Sequence, residues 1–293
     1  LQAKPAHIAP KFFYDELGSK LFEAITLLDE YYPTRTEAHI MSRYIHEISA
    51  AVGNCDAFVD LGAGNCAKAS TLFESLQPKQ YWALDISKTF LDAAIANLQK
   101  QFPNIAMIAQ ACDLSQAIQL PDIAAQKKIF FYPGSSIGNF DPKEAHLFLQ
   151  GIAQLLNGSG GLLIGVDLVK NRDVLHRAYN DSLGITAAFN CNVLLHINRL
   201  ISTNFCLEDW EHDAFFNEQA SRIEMHLRAK RDLKVCWHDH LAPFSKGETI
   251  HTENSYKYTQ AGFQDLLKKA GFQKVVSWTD QNQHFMVCFA SFW

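Results

Sequence analysis

The segment best equipped to do chemistry is Phe58-Val59-Asp60-Leu61-Gly62-Ala63-Gly64-Asn65, an apolar run ending in an acidic residue and two spaced glycines. Glycines at that spacing let a strand turn tightly into a helix and bring backbone close to a ligand. A dinucleotide site wants a third glycine where the helix packs on the strand. Here that position is Ala67, and Lys68 follows at once. Asp60 stands just before the first glycine, where a carboxylate can meet a cationic ligand end. S-adenosylmethionine carries an ammonium and a sulfonium and no phosphate, so the acidic loop suits it better than NAD. Asp85, 23 residues after Gly62, ends the second strand-like run, where an acidic side chain accepts hydrogen bonds from ribose hydroxyls. Asp113 follows the third run and is placed for an adenine amino group. Either aspartate alone could be a helix cap. Their joint placement at successive strand ends makes Asp60, Gly62, Gly64, Lys68, Asp85 and Asp113 the cofactor-binding candidates.

The elements that must position these residues alternate strand-like apolar runs with helical periodicity, which signals a parallel α/β sheet. Expected strands are residues 57–61, 81–84, 105–109, 128–132 and 162–166, and strand-like patterning returns at 274–278 and 285–292. Phe90, Leu91, Ala94, Ile95 and Leu98 have helical spacing. Asp141-Pro142-Lys143-Glu144 has the order of a capped helix start, and Gly271 that of a C-cap for a helix beginning near Thr259. The rhythm breaks after Lys170. Residues 171–258 read as a helix, an irregular stretch rich in Asn and His, and two alternating runs, 222–229 and 234–241. An insertion after the fifth strand belongs at the carboxyl edge of the sheet, where α/β proteins bind ligands. The aromatic-rich first 35 residues are expected to join it.

The chain is similar, in collinear order and over nearly its whole length, to the histidine-specific methyltransferases, a family that includes the histidine Nα-trimethyltransferases of ergothioneine formation. The runs that carry the resemblance are Lys11-Phe12-Phe13-Tyr14-Asp15-Glu16-Leu17-Gly18, Glu30-Tyr31-Tyr32-Pro33-Thr34-Arg35-Thr36-Glu37, and Gly134-Ser135-Ser136-Ile137-Gly138-Asn139-Phe140. They continue through Gly165-Val166-Asp167-Leu168-Val169-Lys170, Gly184-Ile185-Thr186-Ala187-Ala188-Phe189-Asn190, Arg222-Ile223-Glu224-Met225 and Gly247-Glu248-Thr249-Ile250-His251-Thr252-Glu253-Asn254-Ser255. The resemblance implies an α/β fold: a Rossmann-like class I methyltransferase sheet with a second, smaller α+β substrate-binding domain. Residues 36–170 and 259–293 would form the S-adenosylmethionine domain, and residues 1–35 and 171–258 the substrate domain. It also implies transfer of methyl groups to the α-amine of L-histidine, through to the trimethylated betaine hercynine.

Residue roles follow where motifs match. Tyr31 and Tyr179 inherit contacts to the substrate carboxylate, Asn139 a contact to the amino acid backbone, and the Gly134 carbonyl a place near the amine. Tyr14 is the amine's other neighbour and, with Asn139, the catalytic candidate. Glu253 and Ser255 inherit recognition of the imidazole, and Met225 a place in the pocket wall. Two departures are Asn180, where the family often has Asp, and Asp60, where Glu is more usual.

The same residues make chemical sense without the name. Tyrosine hydroxyls and an Asn amide bind a carboxylate without adding cations, and Glu253 can accept an imidazole N–H. A site built for such a group rejects analogues that lack it by up to about 10⁴–10⁵. A net charge of −5 argues against a nucleic-acid partner, and 48% hydrophobic against 19% charged residues is an ordinary globular balance. Seven scattered cysteines without a CxxC pair suit a reducing cytoplasm, and no run is apolar and long enough for a membrane span. A monomer without metal is expected, since His238-Asp239-His240 has no matched partner for a metal site. The competing readings are a tryptophan N-methyltransferase on the same scaffold, an S-adenosylmethionine-binding module without catalysis, and an NAD-dependent oxidoreductase.

Overall fold

The computed structural model of the chain describes residues 1, 4–86, 88–114 and 127–292, without the side chains of Thr89 and Phe90. The helical spacing thus holds for Lys88–Gln101, while the Phe90 side chain lies outside the described residues. In chain order the strands are β1 (Ala6–His7), β2 (Ala57–Leu61), β3 (Gln80–Asp85), β4 (Ala106–Ala111), β5 (Lys128–Tyr132), β6 (Gly160–Asp167) and β7 (Trp210–Asn217). They continue with β8 (Arg222–Ala229), β9 (Leu233–Trp237), β10 (His240–Phe244), β11 (Thr249–Tyr256), β12 (Lys274–Thr279) and β13 (Phe285–Ser291).

The chain divides into two compact units, Leu1–Arg35 with Val169–Lys257, and Thr36–Leu168 with Tyr258–Trp293. The larger unit is built on a seven-stranded sheet of order β12-β13-β6-β5-β2-β3-β4. Strands β6, β5, β2, β3 and β4 run parallel, and β13 runs antiparallel to both β12 and β6. Helices cover both faces, which is why its strands read as unbroken apolar runs rather than as alternation. In β2, Ala57, Val59 and Leu61 enter one apolar layer with Leu149, Ile152 and Phe263, while Phe58 enters the other with Phe73 and Tyr81. The expected helix start is present in full: Asp141 accepts from the backbone of Lys143 and Glu144, and Glu144 answers to the Asp141 N–H.

The smaller unit carries a four-stranded sheet of order β1-β11-β8-β7, a β9–β10 hairpin, and helices Glu16–Thr26, Arg172–Tyr179 and Ile185–Ile201. Two expectations fail here. The stretch read as irregular is the helix Ile185–Ile201 followed by β7. Its asparagines face inward and hid the period: Asn190 and Asn192 are buried and bonded to the His226 carbonyl and the Asp15 carboxylate. The alternating run 234–241 is two strands, broken at His238 in the left-handed region (φ 47°). Apolar residues resume after the turn in a different phase, so Leu241 is exposed while Ala242 and Phe244 are buried.

Candidate active site

In the larger unit, β2, β3 and β4 are adjacent and parallel, so Gly62, Asp85 and Asp113 follow the carboxyl ends of neighbouring strands on one sheet edge. Gly62 and Gly64 take positive φ (73° and 52°), and a Cβ on Gly64 would meet nothing within 4 Å, so the loop leaves open space there. The Gly64 N–H donates to Asp85 Oδ2 at 3.0 Å, tying the loop to the next strand end. Asp60 is 2% exposed and its Oδ2 accepts from the Tyr81 hydroxyl at 2.7 Å, while its Oδ1 is buried with no hydrogen-bond partner among the described residues. Burial pushes this carboxyl up to about 7, against the pull of the Tyr81 hydroxyl and of Lys68.

Lys68, a cofactor-binding candidate, is engaged with a carboxylate of the protein. Its ammonium pairs with the buried Glu37 at 2.6 Å, and the other Glu37 oxygen accepts from the Gly134 N–H at 2.8 Å. Gly165 makes room for this carboxylate, since a Cβ there would fall 1.9 Å from Glu37 Oε1. Glu37 therefore fixes the Gly134 loop, which follows β5 and leads into the short turn Ser136–Asn139. The Ser135 hydroxyl accepts from the Asp167 N–H at 2.9 Å and braces that loop against the end of β6.

In the smaller unit the three tyrosine candidates converge. Tyr14 and Tyr31 each pack edge-on against Phe22, at 5.7 and 6.4 Å between ring centroids, and Tyr31 packs edge-on against Tyr179 at 6.4 Å. Each tyrosine sits beside a backbone anchor. Asp15 caps the helix after Tyr14 through the Gly18 N–H, and Arg35 donates to the carbonyls of Leu28 and Asp29 ahead of Tyr31. Asp181, just after Tyr179, accepts from the first backbone N–H groups of helix Ile185–Ile201.

Glu253, Ser255 and Met225 are brought to one sheet face by an irregularity. On β11, Ile250 pairs with Leu227 and Glu253 with Met225, so three residues span what two span on β8. Thr252 is the extra residue of a β-bulge, and it changes the phase of every side chain after it. In a regular strand Glu253 would share the face of His251. With the bulge, Glu253 and Ser255 lie on the inner face with Ile250, Met225 and Ile223. Thr252 is 1% exposed, and its hydroxyl reaches Asn190 Oδ1 at 2.8 Å and the Met225 carbonyl at 2.9 Å. Ser255 Oγ lies 2.7 Å from the Tyr179 hydroxyl, which joins two residues expected at different ends of the substrate.

The family profile for S-adenosylmethionine-dependent, histidine-specific methyltransferases matches residues 1–292. The chain belongs to that family. It is 38% identical over 287 residues to the histidine N-alpha-methyltransferase of Mycolicibacterium smegmatis, covering 96% of this chain and 88% of that one. It is 30% identical to ergothioneine biosynthesis protein 1 of Neurospora crassa, covering 96% of this chain and 32% of that longer protein. A solved structure from Pyrococcus horikoshii shares the fold, with a TM-score of 0.50 at 14% identity and coverage of 90% of this chain and 99% of that one.

The methyltransferase's cofactor is S-adenosylmethionine, and the loop fits it. Asp60 Oδ1 is a buried acceptor in want of a donor, Asp85 and Asp113 stand at the neighbouring strand ends, and the glycines leave space. Glu37, Thr252 and the buried Lys257 were not singled out from sequence. Glu37 and Thr252 lie within matched motifs, but charge or hydroxyl type alone does not reveal a brace. Elsewhere on the β8–β11 surface, Glu224, His226 and His251 come close together. The two imidazoles stack at 4.6 Å with planes 10° apart, and an ion cannot lie in both of two stacked ring planes. Burial pushes the Glu224 carboxyl up, but bonds from His226, Arg222 and Asn217 hold it at about 2. The cluster is a hydrogen-bonded polar network on the face opposite Glu253, with the buried His226 Nδ1 unbonded among the described residues.

Proposed function

We propose that the protein methylates the α-amino group of L-histidine, with the smaller unit binding the amino acid and the larger unit the cofactor. The observation that carries this reading is the bulge at Thr252, which puts Glu253 and Ser255 beside Met225 on the face where Ser255 meets Tyr179. A carboxylate acceptor and two hydroxyls beside Met225 suit a molecule with an N–H-bearing ring and a carboxylate. Phenylalanine offers Glu253 no ring N–H, so it lacks a bond that histidine can make, worth about 0.5–1.5 kcal/mol or more to a charged acceptor.

Bound S-adenosylmethionine supplies an electrophilic methyl group on a sulfonium. The chain's own task is to present a neutral amine in line with it, and such positioning accounts for much of the acceleration. Tyr31 and Tyr179 hold the carboxylate, Glu253 and Ser255 hold the ring, and Tyr14, Asn139 and the Gly134 carbonyl orient the amine. We also propose three successive transfers. Each replaces an N–H by a methyl and leaves the carboxylate and ring anchors unchanged, and added methyls lower the cost of placing the amine among Tyr14, Phe22 and Tyr31. The seven free thiols support a reducing compartment, and the protein is taken to act as a monomer.

The test is incubation with S-adenosylmethionine and each amino acid in turn, followed by product masses over time. Histidine should gain 42 mass units (about three methyl groups), and Glu253→Ala should lose histidine turnover while narrowing the gap to tryptophan. Equal turnover of histidine and tryptophan by the unmutated protein, or a stop at one methyl, would sink the reading.

A further inference from the structure

A tyrosine that no matched motif assigns lies buried beside the strand that leads into the glycine loop. Tyr81, on β3, is fully buried against the rings of Phe58 and Phe73, at 6.5 and 4.8 Å between centroids. A phenylalanine would suit that packing, and a hydroxyl taken out of water is costly unless it is bonded. The Tyr81 hydroxyl donates to Asp60 Oδ2 at 2.7 Å. Asp60 stands two residues before Gly62, and its buried Oδ1 has no hydrogen-bond partner among the described residues.

A carboxylate turns easily about its last bond, which exchanges its two oxygens. With Oδ2 bonded to Tyr81, Oδ1 is the oxygen left for a ligand. Of the two cationic groups on S-adenosylmethionine, the sulfonium has no proton to give, whereas the ammonium donates; the unpartnered acceptor therefore fits the ammonium. The hydroxyl also favours the charged carboxylate. Burial opposes that charge most strongly, and Asp85 and Glu37 oppose it further. Tyr81 and Lys68 support it, Tyr81 the more, and the Cys66 thiol lies beside Tyr81. Lys68 is already paired with Glu37, so Tyr81 is the donor committed to Asp60.

We propose that Tyr81 is a positioning residue for the cofactor, whose hydroxyl occupies Oδ2 of Asp60, keeps that carboxylate charged and presents Oδ1 to the ammonium of S-adenosylmethionine. The inference rests on the assignment of Asp60 to the cofactor's cationic end. Without the hydroxyl, Asp60 takes up a proton more readily, and that proton must leave before the ammonium can bind.

The experiment titrates S-adenosylhomocysteine, which keeps the ammonium and undergoes no turnover, into the whole chain, Tyr81→Phe, Asp60→Asn and the double variant across a range of pH. Calorimetry in two buffers reads the affinity and the protons released, and melting temperature monitors folding. Tyr81→Phe should bind roughly fivefold more weakly at about pH 7, the effect of a rise of about one unit at Asp60, and release nearly one proton where the parent releases about half. The gap should close toward about pH 9, where Asp60 is ionised in both proteins. A loss of the same size at every pH would mean that the hydroxyl only holds the core, and would overturn the inference. In the Asp60→Asn background, adding Tyr81→Phe should change the affinity by less than about twofold, since the hydroxyl acts through Asp60. That pair keeps the test open should Tyr81→Phe alone fail to fold, and a further loss as large as roughly fivefold there would overturn the inference. An Asp60→Asn variant that binds and releases protons like the parent would remove the Asp60 assignment and the inference with it. Loss of both in Asp60→Asn with neither changed in Tyr81→Phe would overturn the inference alone.

Discussion

Replacing Thr252 by valine tests whether the bulge aims Glu253. Valine keeps the branched shape and nearly the volume of threonine, so packing changes little and only the hydroxyl is lost. That hydroxyl has one proton to share between two buried acceptors, Asn190 Oδ1 at 2.8 Å and the Met225 carbonyl at 2.9 Å. Asn190 is fully buried, so water cannot take over. One donor lost to buried acceptors costs about 1–3 kcal/mol, and at about 2–4 °C per kcal/mol the melting temperature should fall by roughly 2–12 °C. The loss of function should be larger than this. Without its pin the extra residue can slide back into register, and a one-residue slip turns Glu253 from the Met225 face to the His226 face. The kcat/KM for histidine should therefore fall by more than tenfold with the protein still folded, while S-adenosylhomocysteine binding stays unchanged. Thr252→Ser, which restores the hydroxyl, should recover most of it. A valine variant that melts lower but keeps its preference for histidine over tryptophan would refute the claim that the bulge sets the specificity face.

The other predictions are quickly stated. Because burial holds the Asp60 carboxyl at about 7, a cationic cofactor end placed against it should expel roughly half a proton at pH 7, seen as buffer-dependent binding heat and absent in Asp60→Asn. The same raised value makes Asp60 a source of stability below its ordinary 3.8 that is lost as pH rises through about 7, so Asp60→Asn should flatten that part of a melting-temperature profile. Gly165→Ala drives a methyl into Glu37 and should cost toward the lower end of the about 3–5 kcal/mol for breaking a buried pair, since Lys68 is 40% exposed. It should also lower turnover through the Gly134 loop, and a variant as stable and active as the parent would contradict the brace. Burial lowers the His212 pKa below its ordinary 6.5, and the neutral ring accepts from Asn190 and donates to the Tyr179 carbonyl. A lowered value means stability that is full above 6.5 and lost as pH falls toward the folded value, so His212→Gln should flatten the melting profile on the acid side of 6.5.

What was legible in the sequence divides along physical lines. The parallel sheet was readable because strands buried on both faces must be apolar throughout, and because a capping box like Asp141–Glu144 is a local contract between neighbours. The glycine loop was readable for the same reason, as a positive φ at Gly62 is demanded by the turn itself. The smaller unit resisted because its helix Ile185–Ile201 buries asparagines whose partners, Asp15 and the His226 carbonyl, lie far away in sequence. A periodicity count scores such residues as polar and therefore outward, although distant partners satisfy them.

The candidate site shows the same division more sharply. The resemblance named Tyr31, Tyr179, Glu253 and Ser255, but no spacing along β11 could reveal that Glu253 and Ile250 share a face, because they stand three positions apart and strand alternation forbids it. A bulge supplies the missing residue, and Thr252, buried and bonded across to Asn190 and β8, holds it in place. Glu37 is a parallel case: a charge seven residues past Glu30 reads as solvated until Gly165, more than a hundred residues away, leaves the space that admits it. In both cases the residue proposed to meet the ligand is named by a matched motif, while the one that aims it depends on long-range packing. Substitutions that preserve type but disturb the aim, such as Thr252→Val and Gly165→Ala, are therefore the sharper probes of this site.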